Sequence, residues 1–155
     1  MPKFRALELA IEQASQQRDE QARLHAQAQR ALLHARGQLD QLLNYSTDTD
    51  ARWVAGHAIH MSVEMVKHHY QFMDRLQNAV HLQEGVLKNL ELQLEAAHQR
   101  VLQAEFRLAG FKQVLKERRA AHAQLLHRRE QRATDEFAAQ RHIRRRMEQT
   151  QEDAL

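Results

Sequence analysis

The sequence predicts an all-α protein: two long helices paired as an antiparallel coiled-coil hairpin, with a C-terminal segment of the second helix overhanging the pair. Three observations lead there. The 155 residues include one proline and four glycines, so the residues that interrupt helices are nearly absent. Alanine, leucine, glutamine, glutamate and arginine dominate, all high on the helix scale, whereas aromatics make up only 5% of the chain. Apolar residues also recur in alternating steps of three and four, the 3.5-residue repeat that winds helices around each other left-handedly. With 43% hydrophobic residues, many of them alanine, the chain suits an elongated seam better than a globular core. Residues 1–155 therefore read as a single coiled-coil domain.

Helix one is expected over about residues 4–44. Phe4, Leu7, Ile11 and Ala14 open its seam, and Ala28, Leu32, Ala35, Leu39 and Leu42 close it. Arg18, Gln21 and His25 hold the same register in between, so its middle packs loosely or meets polar partners. A loop is expected at about 45–50, because Asn44-Tyr45-Ser46-Thr47-Asp48-Thr49-Asp50 is the one run of turn and capping residues, with Asp48 or Asp50 as the cap of the next helix. Helix two follows over about 51–149. Its seam is Leu76, Val80, Gln83, Leu87, Leu90, Leu94, Ala97, Val101, Ala104, Leu108, Phe111 and Leu115, with Phe72 and Met65 near the same face. A turn at 45–50 sets Phe4 near residue 92 and Phe72 against Gln17–Leu24, and leaves everything beyond about residue 100 overhanging. Past Leu115 the seam positions become Arg118, His122, Leu125, Arg129 and Arg132, which cannot bury as unpaired cations and need water or a partner. Gln149 to Leu155 should fray. Trp53, beside the loop, is expected to cover the hairpin end.

Charge is uneven along this frame. Residues 1–77 balance nine Lys/Arg with nine Asp/Glu, whereas residues 100–146 hold thirteen Lys/Arg against five acids. The C-terminal excess calls for a local acidic partner. Arg141-His142-Ile143-Arg144-Arg145-Arg146, with Arg128, Arg129 and Arg132 upstream, suits phosphates or an acidic protein groove. No aromatic stacking platform accompanies these cations, so an acidic protein is at least as well supported as nucleic acid.

Several function classes are disfavoured. Without cysteine there is no disulfide scaffold, thiol catalysis or zinc knuckle. No nucleophile elbow, phosphate loop or HExxH pattern occurs, and a two-helix rod has no enclosed pocket, so no catalytic activity, cofactor or metal is expected. Among eleven histidines, His57 and His60 with Glu64 have a spacing that could present ligands on one face, but they read as scattered polar residues on a helix surface and not as a metal site. The first twenty residues lack a signal-peptide core and no stretch is long and apolar enough to span a bilayer, so a cytoplasmic location is expected. The densest apolar surface is Tyr70, Phe72, Met73, Leu76, Ala79 and Val80, a stripe wider than one seam that suits docking as well as core packing.

These residues resemble the FliJ family, the small coiled-coil component of the flagellar type III export apparatus. The resemblance rests on Leu42-Leu43-Asn44-Tyr45, on Tyr70 through Val80 (YQFMDRLQNAV), and on Asp135-Glu136-Phe137-Ala138 followed by basic residues, and it covers nearly the whole chain. It implies a non-enzymatic stalk that inserts into the centre of the hexameric export ATPase, as the γ subunit does in a rotary ATPase. It also implies contact with the cytoplasmic domain of the membrane export gate, FlhA, and escort of export chaperones. The gate-contacting positions of the family fall at Phe72, Leu76 and Ala79, with Gln83 where the best-known pattern has histidine; Thr49 replaces a common second tyrosine. Arg128, Arg129, Arg132, Arg141, Arg144, Arg145 and Arg146 are the expected ATPase contacts. Such a protein would be cytoplasmic and peripheral to the inner membrane through its partners, with no nucleic acid bound. A related injectisome stalk, or a coiled-coil scaffold that binds nucleic acid through its basic end, are the alternatives.

Overall fold

The computed structural model describes residues 2–56 and 62–155. A 3₁₀ turn at Pro2–Phe4 leads into α1, Arg5–Gly56, and α2 spans Val63–Asp153. The two helices pack against each other, and no strand occurs among the described residues. The chain divides into two compact units, one comprising Gln13–Leu108 and the other Met1–Glu12 with Ala109–Leu155.

In the Gln13–Leu108 unit, α1 turns one stripe inward at Ala14, Arg18, Gln21, His25, Ala28, Leu32, Ala35, Leu39 and Leu42, as the spacing predicts. It then continues through Ser46, Thr49, Trp53 and Gly56, all buried or half-buried. Across from it α2 presents Val66, His69, Met73, Leu76, Val80, Gln83, Leu87, Leu90, Leu94, Ala97, Val101, Ala104 and Leu108. Ala14, Leu32, Ala35, Leu76, Ala97 and Leu108 are the most enclosed, each below 9% exposed. Contacts run in opposite order along the helices: His25 meets His98 (ring centroids 5.6 Å), Tyr45 meets Phe72 (5.9 Å), and Trp53 stacks flat on His69 (3.8 Å, 4° between planes). Arg36 reaches Glu91 at 3.8 Å, and the Gln83 amide donates to the Ala35 carbonyl at 2.9 Å.

The expected loop at 45–50 is helix instead. The run Asn44–Asp50 has the composition of a turn, but Ser46 and Thr49 occupy seam positions and the Thr47 hydroxyl donates back to the Leu43 carbonyl at 3.0 Å. A hydroxyl satisfied by its own helix no longer competes for the backbone, and pairing with α2 overrides local propensity. The cap of α2 is accordingly Ser62, not Asp48 or Asp50. Its hydroxyl accepts the Met65 N–H at 3.2 Å and its carbonyl accepts the Val66 N–H at 3.2 Å. Each residue by which a turn moves along the chain shifts every facing pair by two, so the expected partners are displaced throughout. Phe72 lies on Tyr45 and not on Gln17–Leu24. Met65 and Phe72 sit on the flank, and Val66 and Met73 take the seam.

In the other unit Phe4, Leu7 and Ile11 face Phe111, Leu115 and His122. Phe4 is 7% exposed and meets the His122 ring edge-on at 5.8 Å, not a residue near 92. Lys3 Nζ lies 3.2 Å from His122 Nδ1, and Arg119 donates to Glu8 at 3.0 Å, so pairing continues well past residue 100. From Lys116 onward His122 is half-buried and the other residues are exposed, Leu125 at 43%; Arg118, Arg129 and Arg132 keep the seam spacing in exposed positions. The helix persists to Asp153, beyond the expected end near 149.

Candidate docking surfaces

The first candidate surface lies on the flank of α2 next to the seam. Phe72, 38% exposed, meets the Tyr45 ring edge-on at 75°. Residues seven apart share a helix flank in a coiled coil, so Met65, Phe72, Ala79 and Val86 form one row. Met65 and Val86 are 57% and 45% exposed, and Ala79 is half-buried. Of the four expected gate contacts, Phe72 is thus exposed and Ala79 half-buried beside it. Leu76, at 8% exposure, belongs to the seam. Gln83 also turns inward, its amide shared between the Ala35 carbonyl at 2.9 Å and the Gln38 side-chain oxygen at 3.1 Å. Beside it opens a cleft of about 480 Å³ lined by Gln38, Gln41, Leu42, Tyr45 and Gln83. The turn-like composition of Asn44–Asp50 hides the α1 side of this surface by putting Tyr45 in a loop; the seven-residue recurrence of Met65, Phe72, Ala79 and Val86 is the sequence signal for the α2 side.

The second surface is the basic part of α2. Arg128, Arg129, Arg132, Arg141, Arg144, Arg145 and Arg146 are all exposed, and none forms an ion pair within the described residues. Three consecutive arginines at 144–146 point around the helix, so the cations form a sleeve and not a stripe. Phe137, 66% exposed, lines a shallow cleft of about 210 Å³ with Gln140, Arg141 and Arg144. The arrangement supplies one apolar anchor within an electropositive field. Elsewhere charges are locally matched: the hydrogen bond from Arg23 holds the solvent-exposed Glu20 carboxyl below the usual carboxylate range.

Among the described residues no group of three or more His, Cys, Asp or Glu side chains is placed to hold a metal ion, and His57 and His60 lie outside them. No helix of the described residues is long and apolar enough to cross a membrane. The family model for the flagellar FliJ protein matches residues 3–147. No curated protein and no solved structure matches the chain.

Proposed function

The chain belongs to the FliJ family, and from that premise we propose that it is a non-enzymatic stalk of the flagellar protein export apparatus. In this reading α1 and α2 form an antiparallel hairpin whose overhanging basic segment enters the hexameric export ATPase. The Phe72 flank docks the cytoplasmic domain of the export gate, and the protein escorts unloaded export chaperones. It works in the cytoplasm, at the membrane face only through its partners.

The observation that carries the reading is the exposed Phe72. A large aromatic left partly exposed on the flank beside Tyr45 offers wide apolar area at low side-chain entropy cost, which suits a binding anchor. Supporting it are the unpaired arginines of the second surface, which suit acidic residues lining a ring. The test is binding of the full chain to the purified cytoplasmic domain of the gate. Docking can bury only the 38% of Phe72 that is exposed, about 0.6–1.1 kcal/mol of transfer free energy, so Phe72→Ala should lower affinity roughly threefold to sevenfold. Unchanged affinity would remove the flank from the gate contact.

A further inference from the structure

The side of α2 turned away from α1 carries a second register. Leu82, Gly85, Asn89, Leu92, Ala96, Gln99, Gln103 and Phe106 follow the alternating three-and-four spacing of a coiled-coil seam, and all are exposed. None is charged, although Glu84, Lys88, Glu91, Glu95, Arg100 and Glu105 lie within the same stretch. Leu82, Leu92 and Phe106 are 74%, 72% and 83% exposed, apolar surface that no residue of this unit covers.

We infer that this face pairs with the same face of a second copy of the chain. The pattern is self-complementary. When two copies are laid antiparallel about a two-fold axis at the level of residue 94, Leu82 of one faces Phe106 of the other, and Asn89 faces Gln99. Ala96 then faces Leu92, and Gly85 faces Gln103. Large apolar pairs close both ends, small meets large beside the axis, and each Asn89 amide finds an amide partner, a polar pair of the kind that fixes register in coiled coils. The spacing of any such stripe reverses onto itself; what points to a second copy is the match in type, apolar on apolar at 82/106 and 92/96 and amide on amide at 89/99. Lys88, Glu95 and Arg100 border the seam, where their charges remain in water.

The test uses the full chain. Sedimentation velocity over a concentration series should show a monomer–dimer equilibrium. Phe106→Glu and Leu92→Glu should each lower the dimer fraction about tenfold at fixed concentration. Helical circular dichroism and melting of the monomer should be unaltered, since both side chains are exposed. The absence of native cysteine permits a check of register. Leu82→Cys mixed with Phe106→Cys should give a disulfide-linked dimer, whereas Leu82→Cys alone should not, its two copies lying roughly 36 Å apart along the axis at 1.5 Å per residue. A chain that stays monomeric throughout, a dimer that survives both glutamates, or cross-linking of Leu82→Cys with itself would each overturn the inference.

Discussion

Replacing Phe4 with alanine interrogates the register on which the facing pairs depend. Phe4 is 7% exposed, closing the seam over Leu115 and His122. In an enclosed core Phe→Ala costs about 3–5 kcal/mol, part of it for the cavity left behind. Here none of the described side chains falls below 2% exposure, so the gap opens to water and the cavity contribution largely vanishes. What remains is the transfer of a phenyl group, about 1.5–3 kcal/mol, and the edge-on contact with His122, about 0.5–1.5 kcal/mol. A loss of about 2–4 kcal/mol raises the open population of this end of α1 roughly thirtyfold to several-hundredfold, if opening stays local. Amide hydrogen exchange read by mass spectrometry should therefore quicken in peptides covering residues 3–12 and 115–123. Peptides covering 28–42 should keep their rates, because Leu32 and Ala35 are packed in the other unit. Faster exchange near residue 92, with 115–123 unaffected, would refute the pairing of Phe4 with His122.

Leu76→Ala should lower the melting temperature more than Phe72→Ala, since Leu76 is 8% and Phe72 38% exposed; gate binding measured at a temperature where both are folded should show the opposite order. On the proposed function, reversing Arg141, Arg144 and Arg145 to glutamate should weaken binding to the export ATPase while leaving helicity unchanged, and binding at the native level would place that contact elsewhere. Ser62→Ala deletes the α2 cap and should cost about 1 kcal/mol in chemical denaturation, with Ser62→Asp restoring most of it. Asp48→Ala should cost much less, since α1 runs through that position and no cap forms there.

The sequence by itself determined the seam. The alternating spacing marked Leu76 through Leu115, and all twelve of those positions are buried or half-buried, polar Gln83 included. It did so because water penalises exposed apolar groups whatever the partner, and helical geometry alone decides which residues share a face. The same logic exposed the cationic continuation at Arg118, Arg129 and Arg132. Exposure of the arginines was legible from charge, and that of Phe72 and part of Ala79 from the width of the apolar stripe. Leu76 and Gln83 were not separable from them, since adjacent heptad positions all read as one apolar stripe.

The end of α1 belonged to the tertiary structure. Ser46, Thr47 and Thr49 are equally fit to cap a helix or to lie within one, because their hydroxyls can satisfy either a free N–H or a carbonyl one turn back. Local sequence holds both solutions at similar free energy. Facing Val66, His69 and Met73 tips the balance, by giving Trp53 the His69 ring to stack on and Ser46 and Thr49 a seam to enter. The position of the turn then fixes which residues meet, so Phe4 pairs with His122 and Tyr45 with Phe72. Periodicity specifies a face and is indifferent to sliding by whole heptads; only the enclosure of particular side chains against particular partners selects one register.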